Sequence, residues 1–187
     1  RVLDHPSFSK ALDNTAPVGV WTATVHYNDS GNAVDYRVGI YERNFTVKHD
    51  SSLTLQSPGD AVNDQVSVRF AGDMLYVEVQ LTDDVNSQGV AGATVKMNWT
   101  VSGSPTEVSL EDYGTGTYGV ALNTSDLGTA AVWRINIWSY HQFYNNASTY
   151  FDLELYHHTE LTYRDVSSTP VGFDFTATLI YTDTYTG

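Results

Sequence analysis

Periodicity constrains this chain more than any other property. Wherever it is apolar, apolar and polar residues alternate, and no stretch of eleven or more residues carries a helical period. Alternate residues of a strand share a face. Leu75, Val77, Val79 and Leu81 therefore form one face, with Tyr76, Glu78 and Gln80 on the other. Ala93, Val95, Met97, Trp99 and Val101 form a second inward set, leaving Thr94, Lys96, Asn98 and Thr100 outside. Trp133, Ile135 and Ile137, and then Phe151, Leu153 and Leu155, complete the pattern. Clusters of Asp, Asn, Gly and Ser at 83–89, 102–106, 112–117 and 123–128 supply turns between these runs. Short strands at this spacing predict an all-β fold in which two sheets each bury one face, a sandwich.

A repeat is superimposed on the alternation. Residues 47–55, Val-Lys-His-Asp-Ser-Ser-Leu-Thr-Leu, match 155–163, Leu-Tyr-His-His-Thr-Glu-Leu-Thr-Tyr, at an offset of 108, which brings His49 onto His157. Trp21 and its neighbours match Trp133 and its neighbours at an offset of 112, and residues 75–83 match 175–183 at an offset of 100. A competing alignment sets Pro17-Val18-Gly19 on Pro170-Val171-Gly172 but leaves the paired histidines unexplained. The order of the matches predicts three pieces: 1–50 as the last two strands of one module, 51–157 as a complete module, and 158–187 as the first two strands of a third. Each partial module is expected to have its edges covered by the rest of a longer chain or by strand complementation.

Charge and composition remove several functions. With 22 acidic against 9 basic residues and a net charge of −13, the chain lacks the Lys and Arg that neutralise phosphates, so no nucleic-acid partner is expected. It holds no apolar run long enough to span a membrane, and residues 1–10 do not read as a secretion signal. The absence of cysteine removes disulfides, thiol nucleophiles and thiolate metal sites. Thirteen Tyr, seven Phe and four Trp supply more aromatic surface than disordered chains carry.

Residues 81–95, Leu-Thr-Asp-Asp-Val-Asn-Ser-Gln-Gly-Val-Ala-Gly-Ala-Thr-Val, resemble the strand, turn and strand of immunoglobulin-like (Big-type) repeats in archaeal and bacterial cell-surface, S-layer and adhesin proteins. Residues 110–118, Leu-Glu-Asp-Tyr-Gly-Thr-Gly-Thr-Tyr, resemble the glycine-and-tyrosine hairpin of the same modules. The resemblance implies tandem immunoglobulin-like β-sandwiches, an extracellular location at the cell surface, and a structural or adhesive role in a surface layer, stalk or filament. It implies self-association or contact with neighbouring modules.

Four groups of side chains invite a site. Asn-x-Ser/Thr sequons stand at Asn28, Asn44, Asn98, Asn123 and Asn146, against about two expected from composition, and are candidates for N-linked glycans. Alternation puts Asn44 and Asn98 on outward faces and the other three in turns. Asp83, Asp84 and Asn86 offer oxygen ligands for Ca²⁺, or cap their own turn, since the full calcium-loop spacing is missing. Trp138 and Tyr140 point outward and, with Phe143 and Tyr144, form an aromatic stretch suited to a neighbouring module or to stacking on a glycan, as in the carbohydrate-binding accessory region of a secreted enzyme. His157 and His158, adjacent on a strand, face opposite ways and cannot easily share an ion; their recurrence with His49 suggests packing or a hinge at the module junction. No nucleophile elbow, phosphate loop or zinc-helix motif is present, and Glu111 with Asp112 suits a hairpin flank, so no catalysis and no cofactor beyond Ca²⁺ are expected.

Overall fold

A computed structural model of the chain describes residues 11–13, 15–27, 39–163, 171–172 and 177–185. In chain order its strands are β1 (Gly19–Tyr27), β2 (Gly39–Val47), β3 (Ser51–Ser57), β4 (Val66–Phe70), β5 (Met74–Asp83), β6 (Gln88–Gly89) and β7 (Thr94–Val101). They continue as β8 (Ser104–Ser109), β9 (Glu111–Asp112), β10 (Thr117–Asn123), β11 (Val132–Tyr140), β12 (Ser148–Tyr156), β13 (Thr159–Tyr163) and β14 (Leu179–Asp183). Helical structure among the described residues is confined to α1 (Ala61–Asp64) and a 3-10 turn at Thr124–Leu127. The fold is all-β.

Residues 51–156 form a two-layer sandwich. One sheet runs β3-β5-β10-β9 with β6 on the end of β5; the other runs β4-β12-β11-β7-β8, with β4 and β12 parallel. The alternating residues meet between the layers. Leu75, Val77, Val79, Leu81 and Tyr118 from the first sheet, and Val95, Met97, Ile135, Ile137, Phe151 and Leu153 from the second, are at most 2% exposed. Trp99 shares that core, its indole N–H reaching Asp126 at 3.5 Å. Burying side chains of this size stabilises by roughly 1.5–3 kcal/mol each, before the entropy of ordering the chain is charged against it.

Two details differ from the periodic reading. Val101 is 43% exposed, because β7 ends there: Ser102 and Gly103 take left-handed conformations (φ 50° and 79°) and turn the chain directly into β8. The turn expected over 102–106 thus contracts to two residues, with Val101 opposite Ser104 at the rim. Trp133 is only half-buried, its indole N–H bonded to the Thr129 carbonyl at 3.3 Å.

The sequence offsets reappear in the strand registers. In β1–β2, Trp21 lies opposite Phe45; in β11–β12, Trp133 lies opposite Leu153. Both indoles donate to the carbonyl four residues earlier, Trp21 to Pro17 at 2.9 Å. In β3–β5, Ser51 faces Asp83 and Leu53 faces Leu81; in β13–β14, Thr159 faces Asp183 and Leu161 faces Tyr181. The bond from the Asp84 N–H to the Asp50 carbonyl, 3.1 Å, returns as Thr184 to His158 at 2.9 Å. Unlike Leu53 and Leu81, Leu161 and Tyr181 are 61% and 72% exposed.

Candidate functional site

The chain passes from β2 to β3 through Lys48, His49 and Asp50. His49 lies beside the β11–β12 loop: its N–H donates to the Phe143 carbonyl at 3.2 Å, and its carbonyl accepts from the Asn145 N–H at 2.9 Å. These bonds bury the imidazole between the end of β5 and the segment before β1. Nδ1 lies 2.9 and 3.1 Å from the two carboxylate oxygens of Asp83, and Nε2 lies 2.7 Å from the Ala16 carbonyl oxygen. A carbonyl and an ionised carboxylate only accept, so this arrangement favours hydrogen on both ring nitrogens, the imidazolium form of His49. The bond to Asp83, then the Ala16 carbonyl, raises its pKa above the ordinary 6.5.

Asp83 is buried too, and burial pushes its carboxyl up. The hydrogen bonds outweigh that effect, with His49 foremost, and hold it below the ordinary 3.8. Its Oδ1 accepts from the N–H groups of Val85 at 2.8 Å and Asn86 at 3.3 Å, and its Oδ2 from the Asn86 amide at 3.0 Å and the Tyr144 hydroxyl at 3.5 Å. Burial, and then the Asp83 charge, raises the Tyr144 phenol. Beside it, burial and then Lys48 lower the pKa of His141, whose ring centroid lies 5.1 Å from that of Tyr144. An open cleft of about 850 Å³ borders the pair, lined among others by Asp13, Ala16, Asp50, Asp84 and Val85.

The same chemistry recurs where β12 leads into β13. His157 Nδ1 lies 2.6 Å from Asp183 Oδ2, and Asp183 Oδ1 accepts from the Tyr185 N–H at 2.9 Å, as Asp83 does from Val85. His157 Nε2, however, is buried with no hydrogen-bond partner among the described residues.

Asp83, Asp84 and Asn86 stand together in the turn that follows β5. The Asp83 oxygens are already taken by donors, and no group of three His, Asp or Glu is arranged for a metal among the described residues. The cluster caps its own turn.

The aromatic stretch divides. On the outer face of the second sheet, Trp138 is half-buried and Tyr140 is 59% exposed; Tyr150, opposite Asn136 on the same face, has the Arg134 guanidinium over its ring at 4.5 Å. Tyr144 leaves that face to pack against the core and Asp83, and Phe143 is half-buried with its ring 5.8 Å from His141. Among the sequons, Asn44, Asn123 and Asn146 are exposed. Asn98 is half-buried with its amide committed to β11, donating to the Arg134 carbonyl at 3.0 Å and accepting from the Asn136 N–H. Asn28 lies outside the described residues.

Sequence reasoning missed two polar anchors. Asp60 accepts from Ser67 Oγ, the Val68 N–H and the Arg69 guanidinium, pinning the α1 turn to β4. Tyr118, fully buried, donates to the Val90 carbonyl at 2.8 Å and accepts from the Ala93 N–H at 2.9 Å. A Tyr among inward-facing residues was the available signal, since a buried phenol needs a partner.

No protein-family model matches the chain, and no curated protein matches it. Among solved structures, it resembles part of a 1.5-MDa bacterial ice-binding adhesin studied for retention at the host cell surface, with 15% identity and a TM-score of 0.36 over 80% of this chain. It also resembles a Ca²⁺-stabilized adhesin that helps an Antarctic bacterium reach out and bind ice, with 15% identity and a TM-score of 0.31 over 80% of this chain. The chain covers 46% and 35% of those two chains, respectively.

Proposed function

We propose that the chain is a structural and adhesive part of an extracellular surface protein, in which immunoglobulin-like modules repeat as spacers in a layer, stalk or filament. Residues 1–50 supply the last two strands of one module, 51–157 a complete module, and 158–187 the first two strands of the next. The carrying observation is the matched register: Trp21 opposite Phe45 with Trp133 opposite Leu153, and Ser51 opposite Asp83 with Thr159 opposite Asp183. The role needs no catalytic residue. Its mechanics follow from the junction, where the buried ion pair of His49 with Asp83 ties one unit to the next and resists bending between them. Protease shaving of intact cells that make the protein tests the reading. Release of its peptides without lysis is expected; peptides appearing only after lysis would overturn it.

A second reading, a carbohydrate-binding accessory region, is favoured by one observation: Trp138, Tyr140 and Tyr150 share the outer face of the second sheet. Glycan-array binding abolished by Trp138→Ala would carry it, and an array without any binding would remove it.

A further inference from the structure

Two apolar faces stand exposed outside the sandwich. In β1–β2 the opposed pairs Trp21–Phe45, Ala23–Arg43 and Val25–Tyr41 share one side. Val25 and Tyr41 on that side are 47% and 57% exposed. In β13–β14, Leu161–Tyr181 and Tyr163–Leu179 share one side, and these four residues are 61–74% exposed. Large contiguous apolar faces of this kind mark a contact surface.

The sandwich shows what each face fits. Leu161 and Tyr163 take the places of Leu53 and Leu55 at the offset of 108, and Leu179 and Tyr181 those of Val79 and Leu81 at the offset of 100. Ala23 and Val25 stand on Ile135 and Ile137 at the offset of 112, and Phe45 on Leu153 at 108. Within residues 51–156, β3 and β5 lie in one layer and β11 and β12 in the other, with β12 packed across β3. Leu53, Leu55, Val79, Leu81, Ile135, Ile137 and Leu153 are buried because those layers meet. The β13–β14 face is thus the counterpart of the β1–β2 face. Their departures from the sandwich also suit each other: Arg43 replaces Phe151 on one face, and Tyr163 and Tyr181, replacing Leu55 and Leu81 on the other, offer a guanidinium their rings and hydroxyls.

One chain cannot bring its own two faces together. β1–β2 joins the sandwich beside the β11–β12 loop, where His49 bonds Phe143 and Asn145. β13–β14 joins at the far end of β12, where Ala71 bonds Tyr156 and Tyr185 bonds the Ser125 carbonyl. The nine residues of β12 put about 30 Å between these ends. The connections, residues 48–50 and 157–158, are too short to fold either hairpin back across that distance. We propose that copies of this chain join head to tail, β13–β14 of one laid on β1–β2 of the next, so that two chains rebuild the facing layers that β3–β5 and β11–β12 make within one. This deepens the surface-protein reading, on which it rests, by naming the partner as a second copy. The two faces differ and sit at opposite ends, so each contact leaves one face of each kind open and the assembly grows into a filament instead of stopping at a dimer.

Sedimentation velocity of the whole chain tests this, with one face blocked at a time. Unmodified protein is expected to grow past dimers as its concentration rises. Val25→Glu blocks the β1–β2 face and Leu161→Glu the β13–β14 face; both side chains are exposed, so neither change touches the sandwich core. Each variant alone should stay monomeric. Mixed in equal amounts, they should form a species of twice the monomer mass and no larger, because one intact face of each kind remains. Thr162→Glu, on the opposite side of β13, should leave growth unchanged. Unmodified protein that stays monomeric at every concentration, its faces being met by some other segment or protein, overturns the proposal. So does a dimer formed by either variant alone, a mixture that stays monomeric, or growth lost in Thr162→Glu. The surface role stands or falls separately, on the protease test with cells.

Discussion

His49 and Asp83, 34 residues apart, form a buried ion pair at 2.9 Å whose second arm is the Ala16 carbonyl. Removing one member of such a pair strands the other charge in the interior, which typically costs about 3–5 kcal/mol. Asp83→Asn is therefore expected to lower the melting temperature by several degrees.

The same pair sets a pH window. His49 is raised above 6.5, so its contribution is complete below 6.5 and is lost as pH rises through its folded value. Asp83 is lowered below 3.8, so its contribution is complete above 3.8 and is lost as pH falls through its folded value. The stability gap between unmodified protein and Asp83→Asn should thus be widest between 3.8 and 6.5 and narrow above. Melting curves across that range check it, and a gap independent of pH would show that the pair is not ionised.

Gly116→Ala should be among the most damaging single changes. Gly116 has φ 81°, and an added Cβ would stand 2.6 Å from both Gly89 Cα and Val90 N and 2.7 Å from the Leu81 carbonyl oxygen. All three are backbone atoms that cannot step aside, where the β5–β6 and β9–β10 turns meet. A loss of about 3 kcal/mol or more is expected from clash and strain together. Denaturant titration measures it, and a loss under about 1 kcal/mol would contradict the close approach.

Tyr118→Phe deletes one hydroxyl and leaves the Val90 carbonyl and the Ala93 N–H without it. The expected cost is about 1–3 kcal/mol. Tyr156→Phe serves as the control, because Tyr156 is exposed, its hydroxyl bonds Glu154 at 3.1 Å, and its removal should be near neutral.

Glycan attachment should follow amide availability. Protein from its native source is expected to carry glycan mass at Asn44, Asn123 or Asn146, whose side chains are exposed, and none at Asn98. Peptide mapping decides this. A glycan on Asn98 with the other three bare would reverse the assignment. Asn98→Ala should also destabilise by about 1–2 kcal/mol, since two backbone groups of β11 lose their partner.

The core strands were legible because one face of each is covered throughout. Leu75, Val77, Val79 and Leu81 are at most 1% exposed, as their alternation requires. Val101 fails the same rule because a strand's last residue stops being covered when the chain turns. The aromatic stretch was legible only as far as Tyr140. Past the end of β11 the period no longer applies, and the loop carries Tyr144 inward to Asp83. Asp83 itself reads as a turn aspartate, and it does cap its turn. That it also binds His49 needs β3 and β5 to lie side by side with Ser51 opposite Asp83, a pairing between segments far apart in the chain.

By itself the sequence determined where strands lie, which faces are apolar, and the offsets that relate one part of the chain to another, since each of these is written in the spacing of residue types. Tertiary structure alone decided what covers those faces and which loops meet. Among the described residues it satisfied both ring nitrogens of His49 and one of His157, although the two stand in matching segments. The physical reason is that a period describes one strand's two sides, whereas a buried charge is settled by whatever donors and acceptors other segments bring within 3 Å of it.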